Sequence, residues 1–239
     1  FKETIMKVFN ELIRSLKRDG KYKIALIDPD KKNQKNLKKQ ISFTHSNDYC
    51  AIFAGGSLMM DSKFNDRIKL IKNLSTLPVI AFPSSSIQLN KHLDAILFLT
   101  LISGRNPHYL IGEHVLSSPI IYDLNIETIS IGYILLNGGG NTTVEMISNT
   151  QSIPMESIDV VIAHALASQY MGHKMIYLEC GSNAEKHIKL DLLKKIKKYI
   201  SIPLIVGGGI KTEKDILKVK DAGADFVVTG SLIEKQFNN

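Results

Sequence analysis

The stretch from 202 to 231 constrains the fold most. It reads Ile-Pro-Leu-Ile-Val-Gly-Gly-Gly-Ile, then a helical segment, then Ala-Asp-Phe-Val-Val-Thr-Gly-Ser. Residues 203–206 form an apolar run rich in β-formers and too short for a helix, followed by Gly207, Gly208 and Gly209. Thr212 and Asp215 have the spacing of a capping box that opens a helix. Ile216, Leu217 and Val219 give that helix a core face, and Gly223 ends it. Phe226, Val227 and Val228 make a second strand that runs into Gly230-Ser231. Glycine admits a ligand close to backbone N–H groups, and a helix N-terminus adds unpaired donors and a favourable dipole. The same glycines also suit tight strand-to-helix turns. Two such turns on successive strands favour a phosphate site, of the kind that closes many (β/α)8 barrels after strands 7 and 8.

The rest of the chain repeats the unit. Ile5, Val8, Phe9, Leu12, Ile13 and Leu16 recur at helical spacing, and this first helix is expected to lie across the bottom of a barrel. Further strands are expected at 22–27, 49–54, 78–82, 95–100, 128–135 and 174–178. Helices are expected at about 32–45, at 61–74, from Asn106-Pro107, at 157–171, and on the face marked by Ile188, Leu192, Leu193, Ile196 and Ile200. The segment from 138 to 154 reads as a long polar loop. Eight strands alternating with helices predict an α/β fold, a single closed parallel (β/α)8 barrel over 1–239 with an extra N-terminal helix.

No apolar run approaches the roughly 20 residues that span a bilayer. The first residues carry charges throughout and do not read as a signal peptide, and the start at Phe1 suggests that residues precede it. Two cysteines, Cys50 and Cys180, imply no disulfide framework and suit a reducing, cytoplasmic setting. No Cys/His cluster has zinc spacing. The net charge of +7 suits anionic substrates or an acidic membrane surface, although solvated lysine-rich helix faces account for most of it. No nucleic-acid motif accompanies the charge, so no nucleic-acid partner is expected.

Polar residues gather just after the strand ends: Asp28, Ser57, Ser84, Arg105, Glu179, Gly208 and Gly230. In a barrel those ends share the chemical rim. Asp28 suits Mg²⁺, a hard cation usually shared with substrate phosphates, while Asp28-Pro29-Asp30 is also good turn chemistry and Asp30 reads as a turn residue. Ser57 suits the metal shell, a phosphate, or the cap of the next helix. Glu179 suits a general base toward a substrate hydroxyl, against a structural ion pair. Ser182 and neighbouring amides would add donors to an anion nest. Arg105 suits a bidentate diphosphate clamp or the fixing of its own loop. Cys180 lacks a His partner and reads as packing, and His114 and His164 read as packing or surface residues.

Ala-Leu-Ile-Asp-Pro-Asp-Lys (25–31), Gly-Gly-Ser (55–57), Ser-Gly-Arg-Asn-Pro (103–107), Tyr-Leu-Glu-Cys-Gly-Ser (177–182), Val-Gly-Gly-Gly-Ile (206–210) and Thr-Gly-Ser (229–231), in this order, resemble the geranylgeranylglyceryl phosphate synthases. The loop at 137–145 and Ser-Asn-Thr (148–150) look more like the archaeal and related bacterial branch, and Leu26 stands where the heptaprenyl branch has lysine. The resemblance implies a Mg²⁺-dependent prenyltransferase that joins sn-glycerol 1-phosphate to a polyprenyl diphosphate, most simply geranylgeranyl diphosphate, through an ether bond. It implies Asp28 and Ser57 as metal ligands. It implies Tyr177, Leu178, Glu179, Cys180, Gly181, Ser182, Asn183, Gly208, Gly209, Gly230 and Ser231 as glycerol phosphate contacts, with Glu179 near the attacking hydroxyl. Cys180 and Asn183 depart from the alanine and glycine expected there; Asn183 still tolerates left-handed backbone.

The prenyl tail would need an apolar channel, with Phe82, Phe98, Tyr133 and Tyr170 as candidate walls. A homo-oligomer and transient membrane contact are expected of such a barrel with a lipid product. A sugar-phosphate isomerase or aldolase would share the glycine turns but leave Asp28 and Ser57 without a role, and an aldolase would need a strand lysine that is not apparent. A barrel that binds phosphate without turnover is opposed by Asp28 and Glu179.

Overall fold

The computed structural model describes residues 6–140, 142–182 and 184–237. Eight strands pair in sequence order into a closed barrel. They are β1 (Lys23–Ile27), β2 (Tyr49–Ala54), β3 (Val79–Ala81), β4 (Ala95–Leu101), β5 (Glu127–Leu135), β6 (Met175–Glu179), β7 (Leu204–Gly207) and β8 (Phe226–Thr229). The helices are α1 (Lys7–Asp19), α2 (Leu37–Ser46), α3 (Phe64–Leu74), α4 (Glu113–Leu124), α5 (Thr143–Ser148), α6 (Ile158–Tyr170), α7 (Leu190–Ile196), α8 (Glu213–Asp221) and α9 (Ser231–Lys235). The described residues fall into two compact units, one within Phe1–Phe98, Glu113–Ile129 and Ile233–Asn239, the other within Leu99–Gly112 and Ser130–Leu232.

In the first unit, β1, β2 and β3 pair in parallel, with Ile27 beside Ala54 and Ala54 beside Ala81. Their two-residue period splits the side chains. Ala25, Ile27, Ile52, Ala54, Val79 and Ala81 pack with Leu37, Ile41, Phe64, Ile68 and Ile71 from α2 and α3. Ile24, Phe53 and Ile80 take the other face, where Phe53 meets Phe82 at 6.0 Å between ring centroids. Helix α1 begins without a side-chain cap of its own. Glu127, the first residue of β5, accepts from Val8 N at 2.7 Å and Phe9 N at 2.8 Å. The helix is thus held at the N-terminal end of a strand, on the bottom side as expected.

In the second unit, β6, β7 and β8 pair in parallel, with Glu179 beside Gly207. The capping box of Thr212 and Asp215 opens α8 as read. Asn106 Oδ1 accepts from His108 N, but the turn that follows is a π-helix, His108–Gly112, before α4. The expected loop at 138–154 contains a helix: Thr142 and Glu145 form a complete capping box at the start of α5. In the first unit, the helix expected at about 32–45 starts later, as α2, after a 3-10 turn at Lys31–Asn33. Asp30 caps that turn, its carboxylate accepting from Lys31 N at 2.6 Å, as the turn reading required.

Candidate active site

The second unit carries a buried carboxylate among glycine turns. Tyr177 and Glu179 lie two residues apart on β6 and share one face, opposite Gly207 of β7. A Cβ at Gly207 would overlap the Tyr177 hydroxyl and come within 2.8 Å of Glu179 Oε2. Glu179 is 6% exposed, and its Oε1 accepts from Gly181 N at 2.7 Å. Burial pushes its pKa above the usual carboxylate range, while the Tyr177 hydroxyl and the Gly181 amide pull the other way. Tyr177 is itself wholly buried and stacks edge-on against Tyr133, 5.4 Å between centroids. Leu178 takes the opposite strand face and is fully buried, so only its backbone belongs with the loops.

The glycines have a double account. Gly208 and Gly209 hold φ of 82° and 68°, the left-handed region that side chains rarely adopt. A Cβ at Gly208 would lie 2.5 Å from Glu179 Oε1 and 2.7 Å from Gly181 N. At Gly209 it would strike the backbone of Lys186 and His187, and at Gly181 the side chain of Thr142. The loops therefore need glycine for their own close approach as well as for any anion. Gly230 and Ser231 follow β8 directly, Ser231 opening α9. Ser182 is an exposed turn residue; Cys180 is fully buried, with burial holding its thiol pKa well up, and so packs as read. Asn183 lies outside the described residues. Arg105 is exposed, and its Nη1 donates to Gly104 O at 2.7 Å and more weakly to Ile102 O, with His164 beside Nη2. That is the geometry of its loop-fixing alternative.

In the first unit, Asp28 closes β1 and abuts the second strand's exit. A Cβ on Gly56 would lie 2.5 Å from Asp28 Oδ1, and Ser57 is the next residue. Burial raises the Asp28 pKa to about 6, against the pull of Lys32, whose Nζ lies 3.4 Å from Oδ2. Asp28, Pro29, Asp30, Gly56, Met60 and Arg67 line one cleft. Among the described residues no group of three His, Cys, Asp or Glu side chains converges on a metal position. The partly desolvated Asp28 carboxylate, with Asp30 and Asp61 in the same cleft and Ser57 not among its lining residues, fits Mg²⁺ only as that ion is usually held, by one or two carboxylates with substrate oxygens completing the shell.

Of the channel candidates, Tyr133 is buried on Tyr177 and Phe98 packs edge-on against His114 of α4 at 4.5 Å, while Tyr170 is 76% exposed. Sequence reasoning missed the groups that hold the β1 exit. Arg67, Gln34, Asp61 and Asn33 converge there, and Gln88 holds Gly56 at the neighbouring exit of β2. Arg67 left one signal: a charge on the buried stripe of Phe64, Ile68 and Ile71.

A parallel β/α barrel that sets a buried carboxylate among glycine turns at the ends of β6 and β7 belongs to the phosphate-handling barrel enzymes. Residues 14–239 match the PcrB family, and the chain belongs to it. It is 39% identical to the geranylgeranylglyceryl phosphate synthase of Chitinophaga pinensis over 96% of this chain and 91% of that one. It is 40% identical to the enzyme of the same name from Methanosphaera stadtmanae, over 96% and 93%. It also resembles the crystal structure of (S)-3-O-geranylgeranylglyceryl phosphate synthase from Thermoplasma acidophilum in complex with substrate sn-glycerol-1-phosphate. There the TM-score is 0.88 and the identity 31%, covering 98% of this chain and 94% of that one.

Proposed function

We propose that this chain is a prenyltransferase that joins sn-glycerol 1-phosphate to geranylgeranyl diphosphate, forming an ether and releasing diphosphate. The observation that carries the reading is Glu179: a buried carboxylate oriented by Gly181 N, on a chain alike in fold and sequence to synthases so named. The glycerol phosphate anion is held by the turns at Gly181, Ser182, Gly208, Gly209, Gly230 and Ser231, with the backbone from Tyr177 to Cys180 beside it; Asn183, outside the described residues, is a further contact on the resemblance alone. Its free hydroxyl is directed at the allylic carbon. The new bond joins that oxygen to C1 as the bond from C1 to the diphosphate oxygen breaks, and Glu179 takes the hydroxyl proton. Positioning supplies much of the rate.

Asp28, with Ser57, would hold Mg²⁺, which would supply charge neutralisation for the departing diphosphate. Arg105 stands as a further diphosphate contact in this reading. Val115, Leu116, Ile120 and Tyr122, all exposed on α4, support a homo-oligomer. No helix among the described residues is long and apolar enough to cross a membrane, and the lipid product is delivered through transient contact with one.

The raised pKa of Glu179 makes it a stronger base once deprotonated. Glu179→Gln keeps the shape and removes the basicity. Turnover is expected to fall by about 100-fold or more, while the KM for glycerol 1-phosphate stays within a few-fold. Steady-state kinetics with both substrates checks this, and a variant turning over at the parent rate would remove Glu179 from the chemistry.

A further inference from the structure

Arg67 holds the β1 exit without touching any group assigned to the reaction. It sits on α3, on the stripe of Phe64, Ile68 and Ile71, and is 3% exposed. Its guanidinium meets four acceptors. Nη1 donates to Asp61 Oδ1 at 2.7 Å and to Pro29 O at 3.3 Å. Nη2 donates to Asp61 Oδ2 at 2.7 Å and to Gln34 Oε1 at 2.9 Å. These acceptors come from three segments: the loop after β2, the exit of β1, and the turn before α2. A planar fork can make all four bonds, including the bidentate pair to Asp61, whereas a lysine ammonium has only three donors on one atom.

The bonds converge on Asp28. Pro29, whose carbonyl Arg67 holds, is its neighbour in sequence. Asn33 Nδ2 donates to the Asp28 carbonyl at 3.0 Å, and Gln88 Nε2 donates to Gly56 O at 2.9 Å. The backbone on either side of the carboxylate is thereby fixed, and the carboxylate borders the cleft that Arg67 also lines. Arg67 is buried and Asp61 half-buried, and desolvating a charge offsets much of what its pairing contributes. What the pair adds here is geometry.

We propose that Arg67, locked by Asp61, is a positioning residue that sets the β1 exit so that the Asp28 carboxylate meets magnesium diphosphate in a productive orientation. This rests on the reading of Asp28 as the metal ligand. The test compares Arg67→Lys, the milder Asp61→Asn, Asp28→Asn and the Asp28→Asn/Arg67→Lys double variant. Binding of inorganic diphosphate with Mg²⁺ is measured by calorimetry, with the Mg²⁺ dependence of turnover and thermal unfolding alongside. Arg67→Lys and Asp61→Asn are each expected to weaken magnesium diphosphate binding about ten-fold. Both should raise the Mg²⁺ needed for half-maximal rate, and leave the KM for glycerol 1-phosphate within about two-fold. The double variant should bind no more weakly than Asp28→Asn alone, because Arg67 acts through Asp28. If Arg67→Lys does not fold, Asp61→Asn carries the test. Unchanged diphosphate affinity in folded Arg67→Lys or Asp61→Asn, beside a loss in Asp28→Asn, overturns the positioning role alone. Losses that multiply in the double variant do the same. Unchanged affinity in Asp28→Asn overturns the metal assignment, and the positioning role with it.

Discussion

Asp28 carries an electrostatic cost that its position imposes. Its folded-state pKa of about 6 lies above the ordinary aspartate value of 3.8, with burial as the largest cause. The native state therefore holds this proton more tightly than the unfolded chain. The contribution to stability is complete below the unfolded value and is lost as pH rises through about 6. Asp28→Asn is accordingly expected to stabilise the protein at pH 8 by about 1–2 kcal/mol, and by much less at pH 4. Urea unfolding at the two pH values checks this; a less stable variant at pH 8 would contradict it. On the proposed reading of Asp28 as a Mg²⁺ ligand, the cation would have to displace that proton, and the Mg²⁺ needed for half-maximal rate should climb below about pH 6. Asp61 runs the other way: its hydrogen bonds to Arg67 lower its pKa to about 2. Its contribution is present above the ordinary carboxylate value and disappears as pH falls toward about 2.

At the scale of elements, α1 depends on a residue more than a hundred positions away. The Glu127 carboxylate takes the N–H groups of Val8 and Phe9 where a local cap would otherwise stand. Glu127→Ala is expected to cost about 1–3 kcal/mol. Hydrogen exchange should show protection lost in α1 and kept in β6, β7 and β8. Full protection of α1 in the variant would mean that packing of Val8 and Leu12 alone holds the helix. The loops after β6 and β7 show the complementary dependence, on glycine at Gly208 and Gly209, where backbone meets backbone.

For the whole molecule, the division into two compact units cuts through strands: Phe98 and Leu99 both belong to β4, and Ile129 and Ser130 both belong to β5. Neither unit contains complete β4 and β5 strands, and a severed strand leaves ladder donors and acceptors unpaired. We propose that 1–239 is one cooperative domain. Urea unfolding followed by far-ultraviolet circular dichroism should then coincide with the loss of exchange protection in both Ile52 and Ile205. Separate midpoints for those two positions would make the units independent.

Features set by neighbours along the chain were legible in the residues themselves. The strand Tyr49–Ala54 falls at its expected bounds, and Thr212 with Asp215 caps α8 as their spacing required. Repetition of such units predicted the barrel, and the ordered strand-end motifs pointed to Asp28 and Glu179. The short helix α5 was also readable, since Thr142 and Glu145 carry the same signal as Thr212 and Asp215, but the surrounding polar residues masked it. What only the tertiary structure decided is which distant polar groups meet. Arg67 pairs with Pro29 across 38 positions and Glu127 with Val8 across 119, and no local period encodes either contact. The reason is physical: a buried donor must find an acceptor wherever the closed chain brings one, and only packing determines which acceptor that is.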